Sequence, residues 1–130
     1  MIAESSGTWA IDGQASSSLS QMVATEHGLN LAKHRSQAIS LDMIKSSDLI
    51  LCMTPTHKRD LLQIFPHFAE KIFTLKEYVR EIPPKKLAVD DPIGMNLNFY
   101  RRIYKDIDSE IRRILPEIKK NALKKTEINV

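Results

Sequence analysis

Three groups of side chains in this 130-residue sequence are of types that carry out covalent or proton-transfer chemistry. The first is Cys52, the only cysteine. A thiol becomes a phosphate-accepting nucleophile when an arginine six residues later, with the amides between, surrounds the phosphate and holds the sulfur as thiolate. Here Lys58 stands at that offset and Arg59 one beyond, Pro55 removes an amide, and no glycine permits a tight ring. Cys52 also ends an apolar run, where cysteine is usually an inert small hydrophobe. It reads as structural. The second group is Asp90-Asp91-Pro92, which follows a polar loop. An aspartate there can act as a general acid, giving a proton to a leaving oxygen. Equally, Asp before Pro is a common turn and aspartates favour helix starts. The third is His34-Arg35-Ser36, between two helical stretches, where the imidazole is either a local hydrogen-bonding group or a catalyst. Trp9, the only tryptophan, could line a pocket or pack on the core.

These residues need elements to hold them. Ile2–Ser6 is a strand candidate closed by Gly7, and Trp9–Ser18 reads as a loop running into a helix. Leu19, Met22 and Val23 recur at helical spacing, with Gly28 placed as a C-terminal cap. Ser40 before Leu41 and Ile44, with Asp42 in the first turn, predicts a second helix. The run Asp48–Met53 followed by Thr54-Pro55 has the signature of a strand buried on both faces and then a helix with proline in its first turn. Leu61, Leu62 and Phe65 continue that helix up to Pro66, and Lys71–Leu75 is another short strand. A polar loop spans Ile82 to about Pro92. Phe99, Ile103, Ile107, Ile111, Ile114 and Ile118 then form one stripe of a long amphipathic helix, which Pro116 should kink or end. This alternation argues for a single α/β domain, residues 1–130, built on a parallel sheet.

Composition narrows the class. Apolar residues make up 42% and charged residues 27%, ordinary for a soluble domain. No apolar run is long enough to span a membrane, and no basic patch precedes an apolar stretch as in a secretory signal. A single cysteine excludes an internal disulfide and fits a reducing compartment, so a cytoplasmic location is expected. A net charge of +3 does not argue for nucleic acid. Arg112, Arg113, Lys119, Lys120, Lys124 and Lys125 read as a solvated helix end and a frayed tail.

Several blocks together resemble one family. Ser5-Ser6-Gly7-Thr8-Trp9-Ala10, His34-Arg35-Ser36, Asp48–Thr54 with His57-Lys58, Ile72–Tyr78, and Asp91-Pro92 with Tyr100 follow one another as in bacterial low-molecular-weight protein-tyrosine phosphatases. The resemblance implies a three-layer α/β fold with a parallel sheet. It also implies phosphoprotein substrates, with no cofactor and no metal. At matching positions Asp91 is the general acid, Ser5 and His34 support the phosphate loop, Trp9 lies in the wall loop, and Ile93 stands where many members have an aromatic ring.

The family's nucleophilic cysteine and phosphate-binding arginine lie in a loop after its first strand, and nothing here resembles that strand, loop and following helix. The chain is expected to begin at the family's second strand and to be inactive alone. Charge-assisted bonds are worth roughly 1.5–3 kcal/mol each, so losing the cradle removes on the order of 10 kcal/mol of phosphate binding. The family's strand order 2-1-3-4 makes the missing strand an inner one. Either Ile2–Ser6 slides beside Leu49–Met53, or another chain supplies a face and the protein is an oligomer. Two further readings stay open: a non-catalytic interaction module on the same scaffold, and the protein-arginine-phosphatase branch, which Phe73–Val79 resembles.

Overall fold

Two short parallel strands form the centre of the described structure. The computed structural model describes residues 1–8 and 10–128, the last five of these by backbone alone. Strand β1 (Ile50–Cys52) pairs with β2 (Ile72–Thr74) in the register Ile50–Ile72, Leu51–Phe73, Cys52–Thr74. The alternation of a strand sends Ile50 and Cys52 to one face, with Leu61, Ile72, Phe65 and Phe68. Leu51 goes to the other, with Leu75, Val89, Ile103 and Ile114. Helix α3 (Pro55–Ile64) covers the first face and the long helix α4 (Leu97–Ile128) the second. The result is helix, sheet, helix: the expected three-layer α/β arrangement with a parallel sheet.

Local chemistry sets the boundaries. In α1 (Ser18–Glu26) the Ser17 hydroxyl accepts the Ser20 N–H at 3.2 Å, and Gly28 (φ 76°) follows the helix in the left-handed conformation that glycine adopts without strain. Ser40 caps α2 (Leu41–Ser46) through the Met43 N–H. Thr54 caps α3 through the His57 N–H, with Pro55 at its first position, where no donor is needed. A 3-10 stretch (Pro66–Lys71) then leads into β2. Each such cap contributes about 1 kcal/mol.

Three expectations change. Ile2–Ser6 is not a strand: the sheet has two strands, and this segment lies exposed until Gly7 makes a single parallel bridge to Ala38. A strand exists only through a neighbour, and its backbone has none among the described residues; nor does it slide beside β1. Pro116 does not end α4. Both Pro116 and Arg112, whose carbonyl loses a donor, are solvent-exposed, so water can replace that bond while Ile114 and Ile118 pack on either side. Ile111 leaves the apolar stripe and is 44% exposed, because Glu110 takes the inward position. Among the described residues no helix is long and apolar enough to cross a membrane.

Glu110 is buried to 9% exposure and satisfied by two arginines, Arg80 at 3.0 Å and Arg113 at 2.7 Å. Arg113 also donates to the carbonyls of Tyr78 (2.6 Å) and Leu75 (3.0 Å), clamping the turn after β2 onto α4. It is therefore not part of a solvated basic tail. The side chains of Lys124 and Lys125 lie outside the described residues.

Candidate active site

The Asp90-Asp91 loop is fixed at the carboxyl end of β1. Val89, 4% exposed and packed among Leu75, Ile103 and Ile114, donates its N–H to the Met53 carbonyl at 2.7 Å. The next two residues diverge. Asp90 accepts from Lys86 Nζ at 2.6 Å, and that bond holds its carboxyl below the usual range. A carboxylate kept ionised in this way is a poor proton donor. Asp91 is exposed and accepts the Ile93 N–H on Oδ1 at 3.0 Å. Its other oxygen makes no bond among the described residues. The turn that follows closes through Met95 N–H to the Pro92 carbonyl at 2.9 Å, with Gly94 at φ 79°. That conformation suits glycine at the third position of such a turn. Asn96 then bonds the Phe99 N–H to open α4.

Ser5 and His34 lie on two segments laced together. Gly7 donates to the Gln37 carbonyl and accepts from Ile39; Gly13 and Ser36, then Ser36 and Gln14, are joined backbone to backbone. Asp12 Oδ1 accepts the Ala38 N–H at 2.7 Å, and Gln37 Nε2 donates to the Ser5 carbonyl at 2.7 Å. Gly7 has no room for a side chain here, since a Cβ would lie 2.8 Å from that of Ala10. The Ser5 hydroxyl and the His34 ring are exposed and make no bond among the described residues. The structure thus joins the Ser5 and His34 segments but puts no hydrogen bond between either side chain and Asp91. Tyr100, buried in α4, accepts from the Ser17 hydroxyl at the start of α1 at 3.5 Å. Ile93 is 77% exposed, two residues beyond Asp91. Trp9 lies outside the described residues.

Cys52 is buried, and desolvation pushes its thiol up to about 11, with Lys58 opposing and Glu77 adding to the shift. Such a thiol is protonated at neutral pH and poorly nucleophilic. Lys58 is itself committed to Glu77, whose other oxygen accepts from the Thr74 hydroxyl. Among the described residues no group of three or more His, Cys, Asp or Glu side chains could hold a metal ion. The loop and the laced segments offer an exposed carboxylate, Asp91, and two exposed side chains, Ser5 and His34, without bonds among the described residues. They have no thiolate. Sequence reasoning missed Lys86, Gly94 and Asp12. The first two had local signals, the i, i+4 spacing of Lys86 and Asp90 and the glycine two residues after Pro92, whereas Asp12 binds 26 residues away.

Known proteins resemble this chain in sequence and in fold. A protein-arginine-phosphatase of Bacillus subtilis is 31% identical over 88 residues, which are 68% of this chain and 57% of that protein. The low molecular weight protein-tyrosine-phosphatase PtpB of Staphylococcus haemolyticus is 36% identical over 105 residues, covering 79% of this chain and 70% of the relative. Among solved structures, an arginine phosphatase from Geobacillus stearothermophilus superimposes with a TM-score of 0.84 at 29% identity, over 93% of this chain and 76% of that one. A low molecular weight protein tyrosine phosphatase from T. tengcongensis gives 0.80 at 32% identity, over 88% and 76%. The pattern described as low molecular weight phosphotyrosine protein phosphatase matches residues 1–125, and the chain belongs to that family.

Proposed function

We propose that these residues form the general-acid and support portion of a phosphoprotein phosphomonoester hydrolase, with Asp91 as the acid. The observation that carries this reading is the contrast within one loop. Asp90 is tied up and ionised by Lys86, while Asp91, one residue on, presents a free carboxyl oxygen to solvent near the end of the parallel strands. Ligands of open α/β sheets bind outside the carboxyl ends of the strands. There Asp91 would protonate the leaving oxygen as the bond to phosphorus breaks, a contribution of typically 10²–10⁴-fold. The Ser5 hydroxyl and the His34 imidazole would hydrogen-bond the phosphate-binding loop, and Trp9 and Ile93 would line the pocket.

The nucleophile must come from a Cys-x5-Arg loop, which the 130 residues do not contain. Without it no covalent phosphoenzyme can form, so the chain alone is inactive. Phosphoarginine is the second reading of the substrate. It is supported by relatives named protein-arginine-phosphatases and by the aliphatic Ile93 beside Asp91, where no aromatic ring would stack on a phosphotyrosine.

The test places a relative's strand, Cys-x5-Arg loop and helix ahead of Met1 and measures hydrolysis of an aryl phosphate and of a phosphoarginine peptide. Asp91→Ala should lower turnover by roughly 10²–10⁴-fold and Asp90→Ala should not. Full activity in Asp91→Ala, with loss in Asp90→Ala, would show that the acid is misassigned.

A further inference from the structure

A cavity of about 610 Å³ lies between the turn that follows β2 and the C-terminal half of α4. The strand register places it. Leu75 turns its N–H toward β1, donating to the Cys52 carbonyl at 2.8 Å. Successive residues of a strand present their backbone groups to opposite sides, so those of Thr74 face away from β1. There the Thr74 carbonyl accepts the Tyr78 N–H at 3.2 Å, and the turn folds along the outer edge of β2. Phe73, Tyr78 and Leu87 wall the cavity, and α4 contributes Glu117. All of these residues follow β1 in the chain. The family's strand order, 2-1-3-4, sets its first strand beside β1 on the side away from β2, so that strand does not wall this cavity.

The charged groups of the cavity are unequally engaged. Arg80 gives Nε to the Lys76 carbonyl at 2.8 Å and one terminal nitrogen to both oxygens of Glu110, at 3.0 and 3.2 Å. Glu77 is held by Lys58 and by the Thr74 hydroxyl. Glu117, half-buried, has no hydrogen bond or ion pair among the described residues. The uncommitted carboxylate stands in a cavity walled by two rings 5.0 Å apart, Phe73 and Tyr78. Lys58 Nζ lies over Phe73 at 5.9 Å from its centroid, which leaves Tyr78 to meet a ligand. Val79, which also lines the cavity, has φ 58°, a conformation that a β-branched residue keeps only where its surroundings impose it. Arg113 imposes it by holding the Tyr78 carbonyl at 2.6 Å and the Leu75 carbonyl at 3.0 Å. This wall is therefore shaped before any ligand arrives.

We propose that this cavity binds the guanidinium of an arginine side chain presented by a peptide segment of a partner protein. A guanidinium is flat, weakly hydrated and always charged. It forks to one carboxylate while lying on a ring, which a compact ammonium does not do. Glu117 supplies the carboxylate and Tyr78 the ring. The volume falls within the roughly 300–1,000 Å³ of ligand sites and exceeds a lone guanidinium, so residues flanking the arginine have Val79 and Leu87 to pack against. The competing feature is the remaining terminal nitrogen of Arg80, which would take an anion instead. This site does not depend on whether Asp91 is catalytic.

Heteronuclear NMR titration of the 130-residue chain tests it, with a capped leucine–arginine–leucine tripeptide and its citrulline, lysine and glutamate counterparts as probes. Circular dichroism confirms that each variant is folded. The arginine peptide should saturably shift the amides of residues 73–80, 87 and 117. Citrulline keeps the shape without the charge and should bind roughly tenfold more weakly. Glu117→Gln should cost the arginine peptide roughly tenfold in affinity, and Tyr78→Leu a few-fold. Glu81→Gln, at an exposed carboxylate outside the cavity, should change nothing. No saturable shift at millimolar peptide, shifts confined to other residues, equal binding of the citrulline or lysine peptide, or full affinity in Glu117→Gln would each overturn the proposal. Preference for the glutamate peptide would assign the cavity to Arg80 and overturn it as well.

Discussion

Arg113→Ala should destabilise the fold far more than an ordinary charge deletion on a helix surface. The guanidinium makes three strong contacts, to Glu110 Oε2 at 2.7 Å, the Tyr78 carbonyl at 2.6 Å and the Leu75 carbonyl at 3.0 Å. Charge-assisted bonds are worth roughly 1.5–3 kcal/mol when shielded. The Arg113 side chain keeps 23% of its exposure, so a discount to about 1 kcal/mol each is appropriate. Glu110 is not orphaned in the variant, because Arg80 still holds it at 3.0 Å. The loss is therefore the clamp on the turn after β2, ~2–4 kcal/mol in sum. At about 3–4 °C per kcal/mol for a domain of this size, the melting temperature should fall by about 6–16 °C. Arg113→Lys should recover less than half, since the three donors of an ammonium leave one nitrogen and do not span the acceptors that the separate guanidinium nitrogens reach. Thermal unfolding followed by circular dichroism reads the effect, and a cycle with Glu110→Ala isolates the pair. A shift within about 2 °C in Arg113→Ala would show that water replaces the fork at no cost and refute the reasoning.

Two further outcomes follow from the titrating groups. Burial pulls Glu77 upward, but bonds from Lys58 and Thr74 outweigh it and hold the carboxyl below its ordinary 4.5. A depressed folded value means the unfolded chain binds the proton first. The contribution is therefore complete above about 4.5 and lost as pH falls through the lower folded value. Denaturant titrations in this acid range should show a shallower fall in Glu77→Gln than in wild type, and identical slopes would contradict the assignment. The buried Cys52 thiol, raised to about 11, should react with a thiol reagent at neutral pH only on unfolding. Rapid labelling of the native chain would show an opening that the packed β1–α3 face does not predict.

What was legible in the sequence was local. Thr54-Pro55 after an apolar run gave strand then helix because a cap and a preset φ act within one turn. Gly28 and Ser40 worked in the same way. The stripe from Phe99 to Ile118 located α4, yet its interruption at Glu110 was not visible. Only the distant Arg80, together with Arg113, makes a buried carboxylate tolerable there. Ile2–Ser6 failed for the opposite reason: its pattern suits a strand, but a strand also requires a neighbour, which pattern does not supply.

The same division runs through the site. The Asp91 turn is encoded within five residues, Asp91 to Met95, so its shape persists whatever lies around it. Ser5 and His34 are positioned instead by bonds between residues some 20 to 30 apart, and their side chains end in solvent. The backbone lacing from Gly7 to Ile39 limits the entropy that the His34 side chain loses when a hydrogen-bonding partner arrives to its own rotamers. On the function proposed above, these two side chains would be the ones to meet a phosphate-binding loop.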